Sequence, residues 1–515
     1  MRRAVGILAL FAILALPLSA PVGAQSAPKG YLIGSAAPLT QAQIAALQRA
    51  GAQVRHVYRN SGGAAAVISD QSLAAVRTLP FVTSVSEDTA KQIDAVWPAW
   101  APSAPSALPG MPYWLDLVDA EKATTFDGSG VLVAVLDTGF YPNWRDYFDE
   151  SSIRTDLAKA FIAANGNEND NQWDVGSDPH GMATAATIVG FWLKDKPGEG
   201  GFGQGYMTGS AGTYWVPGAA PGAKVIPIKV CEPLGCWTSA IIAGIDYVTS
   251  LKKANSSQPI VINESLGGSA LDPVEKAAID AAVRAGVVLV ASAGNEGDLG
   301  MGFPAAYEPV ISVGAGGWTK QWAHWPDNTW WLKDVPEDGV ADVYVTGFSS
   351  REKPGQYLDV VSTGRYLPLP YPCAQLYKDG QVTSGTMHRT CASKATPDSA
   401  QAAPYQYLFM SGTSFSAPTV AGIVARMLQK NPTLSNADAG FGTLGDSSSW
   451  EPGSLEKALE GSAVPIQPGS ATITHRDGRE ITETWGTDAT GHGWVFVDKA
   501  VAAVSTTSAP NGRKK

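Results

Sequence analysis

Three residue types that together can move an acyl group stand far apart in this chain. Asp137 closes the run Val131-Leu-Val-Ala-Val-Leu-Asp137-Thr-Gly139, His180 lies in Asp178-Pro-His180-Gly181, and Ser414 lies in Ser411-Gly-Thr-Ser414-Phe-Ser-Ala-Pro418. A serine hydroxyl is a weak nucleophile until a base takes its proton, and an imidazole serves as that base when an acid orients it. A fourth segment, Val287-Val-Leu-Val-Ala-Ser-Ala-Gly294-Asn295-Glu-Gly297, is another apolar run, ending in Gly-Asn. The tetrahedral intermediate of acyl transfer carries an oxyanion, which pre-placed N–H donors stabilise in a water-poor site.

Each segment needs an element to hold it. The run into Asp137 reads as a buried parallel strand that delivers a carboxylate to the carboxyl edge of a sheet. Ser414 stands just ahead of Pro418-Thr-Val-Ala-Gly-Ile-Val-Ala-Arg-Met-Leu, which reads as a helix opening. His180 precedes the helix-like Ala183-Thr-Ala-Ala-Thr-Ile188. Singly, each residue has a plainer reading. Asp137 suits a strand-end cap and Asn295 a turn, His180 a surface or satisfied core histidine, and Ser414 a helix N-cap. Chance explains any one of these segments more easily than all four in order.

The chain order Asp, His, Ser is that of subtilisin rather than of chymotrypsin or the α/β-hydrolases. On these segments the chain resembles the subtilisin-like serine peptidases (subtilase family). The resemblance implies a catalytic triad of Asp137, His180 and Ser414, with Asn295 and the Ser414 N–H as oxyanion donors. It also implies that peptide substrates bind as an added strand between Ser265-Leu266-Gly267 and Leu234-Gly235-Cys236. An S1 pocket walled by Ser265–Gly267 and Ala291–Gly294 is then expected to be a broad apolar slot. Leu266 and Ile241 are expected to make S4 apolar, with Glu296 at the rim as the one acid. Cleavage after Phe, Tyr, Leu or Met follows from that expectation. Two neighbourhoods depart from the family pattern: His180-Gly-Met-Ala-Thr-Ala-Ala186 lacks the usual Thr and second His, and Phe415-Ser-Ala-Pro418-Thr419 replaces Met-Ala-x-Pro-His.

The apolar alternation supports an α/β fold, a mostly parallel sheet with helices on both faces. Strands are expected at Val131–Leu136, Lys224–Val230, Ile260–Ile262, Val287–Ala291 and Val310–Val313, with helices at Thr238–Leu251 and Pro273–Ala285. The peptidase domain is expected over 111–504, closing on Gly491-His-Gly-Trp-Val-Phe-Val-Asp-Lys-Ala-Val501, with a basic tail at 505–515.

The N-terminus speaks to location. Arg2-Arg3, an apolar run to Leu18 and Val22-Gly-Ala24 read as a signal peptide over residues 1–24, too short to span a bilayer comfortably. Secretion is expected, with no membrane attachment of the mature form. Residues 31–88 follow in a β-α-β-β-α-β order: a strand at Tyr31–Ile33, a helix capped by Thr40, a hairpin through Asn60–Gly63, a helix capped by Asp70, and a strand at Phe81–Val85. This α/β-plait is similar to the inhibitory propeptide of subtilases, which implies an intramolecular inhibitor and folding aid. Residues 89–110, rich in Pro, Ala and Ser, read as an extended linker holding the processing region.

Composition agrees with a secreted globular enzyme: 515 residues, 44% hydrophobic, 16% charged. The net charge of −10 argues against nucleic acid as a partner. Four cysteines fit an oxidising compartment. They allow three pairings, of which Cys231–Cys236 and Cys373–Cys391 close within single loops. The chemistry needs no cofactor. The oxygen-rich loop Asn165-Gly-Asn-Glu-Asn-Asp-Asn171 could hold a structural Ca²⁺ or be a solvated turn. A Trp-rich insertion (Trp318, Trp322, Trp325, Trp330, Trp331) could line a ligand surface or form a satellite hydrophobic cluster.

Two rivals are weighed. A sedolisin-type peptidase shares a Ser-Gly-Thr-Ser motif but replaces the His and Asn by acids, whereas His180 and Asn295 stand here. A catalytically inactive subtilase fold used for binding or scaffolding is the alternative from another class.

Overall fold

The computed structural model describes residues 29–100, 112–161, 172–175, 178–194, 213–232, 235–322, 335, 339–370, 377–378, 381–382, 407–437, 452–474 and 478–506. Outside them lie the signal segment, Asn165–Asn171, Leu234, three of the five insertion tryptophans, both Cys373 and Cys391, and residues 507–515.

The first unit runs β1 (Lys29–Gly34), α1 (Gln41–Arg49), β2 (Gln53–Val57), β3 (Ala64–Ile68), α2 (Asp70–Arg77) and β4 (Ser84–Glu87). Its strands form an antiparallel sheet in the order β2-β3-β1-β4. Thr40 and Gln43 form a reciprocal capping box on α1. The cap of α2 is Ser69, whose side chain accepts from the Ser72 N–H, and Asp70 is the first helical residue instead. Strand alternation sorts the side chains into two layers. Tyr31, Ile33, Ala66 and Ile68 meet Leu47 and Val76 of the helices, while Leu32, Ala65 and Tyr58 join the core of the peptidase.

The next segment corrects the linker expectation. Residues 90–93 form β5 (Ala90–Ile93) and residues 96–100 form β6 (Val96–Trp100), both paired to the body that follows.

The peptidase body is built on β7 (Leu132–Asp137), β8 (Lys159–Ala160), α3 (His180–Val189), β9 (Lys224–Lys229), β10 (Gly235–Trp237), α4 (Thr238–Ala254), β11 (Ile260–Glu264), β12 (Leu266–Gly267), α5 (Pro273–Arg284) and β13 (Val287–Ser292). It continues with β14 (Ile311–Trp318), β15 (Val343–Val345), β16 (Val360–Thr363), β17 (Tyr407–Ser411) and α6 (Thr413–Lys430). The main sheet has the order β15-β14-β13-β11-β7-β9-β8, with β16 also paired to β14. All its ladders are parallel except β14 with β15. Every residue of β7, β11 and β13 is buried, because a parallel sheet is covered on both faces. Such strands can deliver polar residues only at their ends. Trp318 and Trp322 are buried in this body, Trp322 edge-on to Tyr366 and Phe409, so these two indoles pack rather than offer a surface.

The two bodies are joined largely through polar groups. Asp246 on α4 accepts from the Arg59 N–H at 3.0 Å and the Asn60 N–H at 2.7 Å. Asp88 accepts from the N–H and Oγ of Ser239, satisfying an N-terminal donor of α4 that its own N-cap, Trp237, leaves open. Ser86 Oγ donates to Asp272, which in turn caps α5.

Candidate active site

Asp137 ends β7 with its carboxylate on the His180 ring: Nδ1 lies 2.9 Å from Oδ1 and 3.0 Å from Oδ2. Both side chains are buried. His180 opens α3, where the Asp178 side chain accepts its N–H at 2.8 Å. Thr138 ties the two segments: its Oγ1 accepts from the Gly181 N–H at 2.9 Å and donates to the Asp178 carbonyl at 2.8 Å. A Cβ at Gly181 would lie 2.6 Å from the Gly139 carbonyl oxygen, so glycine there is what lets helix and strand end meet. Burial pulls the His180 pKa down. The charge and hydrogen bond of Asp137 outweigh it, and the imidazole is held above its usual value.

Ser414 is the second residue of α6, after Gly412 in a backbone conformation (φ 141°) that favours glycine. Pro418 sits one helical turn on and has no N–H for the Ser414 carbonyl. Ser265 Oγ supplies the missing donor at 2.8 Å, and Asn263 Nδ2 donates to Ser265 Oγ at 3.0 Å. The Ser414 hydroxyl donates to the Ser265 carbonyl at 3.2 Å. Asp137 and His180 are thus hydrogen-bonded together, while Ser414 is turned toward Ser265. His180 Nε2 is buried with no hydrogen-bond partner among the described residues. The His180 and Phe415 rings lie 5.5 Å apart, which places the imidazole beside the residue that follows Ser414. Asn295 Oδ1 accepts from the N–H and Oγ1 of Thr413, at 3.0 and 3.1 Å. That fixes the amide and leaves Nδ2 as its donor end.

The cleft beside these groups holds β5. This strand pairs antiparallel with β10 (Lys91 opposite Cys236, Ala90 opposite Trp237) and with β12 (Ile93 opposite Leu266, Gln92 opposite Gly267). Gly235 allows the close approach: a Cβ there would lie 2.8 Å from the Lys91 carbonyl oxygen. Cys231 and Cys236 form a disulfide across this short hairpin. The Asp94 N–H donates to the Ser265 carbonyl at 3.2 Å, and the Ser414 N–H donates to the Asp94 carbonyl at 3.2 Å. The chain then runs on into β6, whose Val96 is registered opposite Ser411.

Two polar side chains of this segment meet the residues for which apolar S1 and S4 pockets are expected. The Asp94 side chain receives Ser292 Oγ at 2.6 Å and lies over Gly267, beside the small residues expected to wall S1. Burial pushes its pKa up to about 7, with the Glu296 charge adding to the rise. So the wall of small residues takes a polar side chain. Leu266 and Ile241, expected to line S4, are buried, and the strand presents Lys91, whose Nζ meets Glu275 Oε1 at 2.5 Å and the Phe303 carbonyl at 3.0 Å. Glu264, at the end of β11, is a second buried acid near Lys91, its pKa pushed by burial and by Glu275 to about 8. Sequence reading missed Glu275 because an acid in the first turn of a helix is a common partner of the helix dipole. It missed Lys91 and Asp94 because four-residue strands carry no periodic signal.

Asp359, Glu456 and Glu460 bring carboxylate oxygens together in a buried cluster away from this cleft. Ser312 donates to Asp359 and Asn436 to Glu456, while burial raises Asp359 well above its ordinary pKa and raises Glu460 as well.

A mostly parallel sheet with Asp137, His180, Asn295 and Ser414 at its carboxyl edge defines a subtilisin-like fold. The model of the subtilase family matches residues 128–478, and the chain belongs to that family, whose members are serine-type endopeptidases. The chain is 29% identical over 332 residues to serine protease AprX of Bacillus subtilis, covering 60% of this chain and 59% of that protein. It is 26% identical over 426 residues to subtilisin E of the same species, covering 81% and 84%. Fervidolysin from Fervidobacterium pennivorans, a keratinolytic enzyme related to subtilisin, shares the fold with a TM-score of 0.57 at 21% identity, over 94% of this chain and 62% of its own.

Proposed function

We propose that this chain is a secreted serine endopeptidase that hydrolyses peptide bonds in proteins through Asp137, His180 and Ser414. Ser414 Oγ attacks the scissile carbonyl carbon as His180 Nε2 takes its proton, and Asp137 holds the ring and steadies the imidazolium. The oxyanion is met by the Ser414 N–H and Asn295 Nδ2. His180 returns the proton to the leaving amine, and water then releases the acyl group by the same steps in reverse. The reading assigns no cofactor to this chemistry. Substrates bind as a strand between 235–237 and 266–267, so recognition rests on main-chain hydrogen bonds, and the pockets under P1 and P4 select. Residues 1–24 act as the export signal, and the unit from Lys29 acts as an intramolecular inhibitor until it is cut and removed.

The observation that carries the reading is the Ser414 N–H held 3.2 Å from a peptide carbonyl of an added strand. Among the described residues no helix is long and apolar enough to cross a membrane. The purified chain is expected to take up a fluorophosphonate probe on Ser414 and to cleave casein. Ser414→Ala should abolish labelling and lower turnover by about 10⁶, the scale found in subtilisin itself. Absence of both labelling and cleavage in the wild type would establish the binding or scaffold alternative instead.

A further inference from the structure

We propose that Glu275 makes this cleft select a lysine four residues before the cut bond, and that the first bond so addressed is Asp94–Ala95 of its own chain. The inference rests on the peptidase reading above and adds the bond and its address.

The register leaves one bond at the nucleophile. Asp94 is the last residue held by the non-primed side, through its N–H on Ser265 and its carbonyl on the Ser414 N–H. Val96 is the first held by the other side, opposite Ser411. The peptide link between Asp94 and Ala95 therefore spans the point where the two supports change over. Counting back, Ile93, Gln92 and Lys91 occupy P2, P3 and P4.

At P4 the contact is a buried ion pair, Lys91 with Glu275, both almost fully excluded from solvent. The Phe303 carbonyl takes a second ammonium proton, and Gly268 leaves room for the lysine stem: a Cβ there would lie 3.0 Å from Lys91 Cγ. An apolar P4 residue would leave Glu275 buried without its cation. Burial raises the Glu275 pKa while Lys91 opposes that rise, so without a cation the buried carboxylate is uncompensated. P1 is less demanding, a Ser292 hydroxyl over a glycine floor, which fits a small polar side chain. Substrates of this enzyme are thus peptides of the form Lys-x-x-(small polar).

The step balances as ordinary hydrolysis. Ser414 Oγ bonds to the Asp94 carbonyl carbon, and its proton goes to His180 and then to the Ala95 nitrogen as the C–N bond breaks. Water next cleaves the Asp94–Ser414 ester, leaving a carboxylate on Asp94, an amino terminus on Ala95 and the serine restored.

Two measurements test this. The full chain is sampled during maturation by mass spectrometry, where the earliest pair of products should end at Asp94 and begin at Ala95. The matured enzyme is then assayed on acetyl-Lys-Gln-Ile-Asp and acetyl-Leu-Gln-Ile-Asp coumarylamides. The lysine peptide should lead in kcat/KM by at least about tenfold, and Glu275→Leu should reverse the order. Lys91→Glu should slow maturation at least about tenfold, and adding Glu275→Lys should restore it, while the peptide pair reads the P4 choice apart from folding. An enzyme that labels with fluorophosphonate and cleaves casein, yet cuts first elsewhere or shows no P4 bias, overturns this inference and leaves the peptidase reading standing. A chain with neither labelling nor cleavage overturns both.

Discussion

The N-terminal unit and the peptidase sheet both bury a sheet face, with opposite materials. Strands β7, β11 and β13 are buried residue by residue, and their pairing is backed by helices on both sides. The N-terminal sheet alternates, keeping a small core under its own two helices and giving Leu32, Tyr58 and Ala65 to the larger body. Its remaining attachments are largely polar: Asp246 on the Asn60 turn, Asp88 on Ser239, Asp272 on Ser86, and the strand β5 itself. Apolar packing on both faces is costly to open. Hydrogen-bonded contacts exchange with water at a smaller net cost. One body is a frame held by packing on both faces, and the other is attached to it by contacts that cost less to open.

After loss of the nucleophile itself, the largest expected effect falls on the fixed frame. Asn295→Ala should lower turnover by about 10²–10³ with little change in KM, the figure known for the equivalent loss in subtilisin. Thr413 holds the amide oxygen of Asn295, so the substitution removes a positioned donor rather than a mobile one. Steady-state kinetics on casein-derived peptides checks it. A loss below tenfold would mean that the Ser414 N–H alone carries the oxyanion, and that the frame matters less than its burial implies.

The next effect concerns the docked strand, and its sign follows from Asp94. The carboxyl has an ordinary pKa of 3.8, pushed to about 7 by burial in the docked strand. Between those values the docked strand keeps a proton that the free strand gives up. Docking is therefore strongest at low pH, weakens as pH rises from about 4 toward 7, and changes little through this group above that. Glu296, His180 and Lys91 also face this carboxyl electrostatically, so wild-type behaviour mixes several titrations. Comparing Ser414→Ala with Ser414→Ala/Asp94→Asn isolates the one group. Hydrogen-exchange protection of the β5 amides should fall by up to about a hundredfold more in the Asp94 chain between pH 5 and pH 8. Equal slopes in the two chains would show that Asp94 is not held neutral in the cleft.

The same contrast explains what the sequence made legible. Strands buried on both faces are written as uninterrupted apolar runs, so Val131–Asp137 and Val287–Asn295 declared both the sheet and the polar residues at its ends. His180 and Ser414 followed because each opens a helix with small neighbours. The alternating N-terminal unit was readable for a related reason, with Thr40 and the Asn60–Gly63 turn marking its joints. What escaped is held mainly by main-chain pairing. Strand β5 has no pattern of its own, since Lys91 and Asp94 answer to pockets made by Glu275 and Ser292 some two hundred residues away. An apolar S4 was expected from Leu266 and Ile241, which do line up as buried residues. One acid in the first turn of α5 changes the character of that pocket.

The smallest effect tests the attachment away from the cleft. Asp88 offers both carboxylate oxygens to Ser239 at the start of α4, at 3.0 Å to N and 2.6 Å to Oγ. Trp237 in the N-cap position has no side-chain oxygen to give, so Asp88 does the work of a cap from the other body. Losing a helix cap costs about 1 kcal/mol, roughly a fivefold change in a local opening equilibrium. In the Ser414→Ala background, Asp88→Ala should speed exchange of the β1 and β3 amides by about fivefold and leave the amides of β7 and β13 unchanged. Equal acceleration in both sheets would show that the two bodies open as one unit, and the division between frame and attachment would then fail.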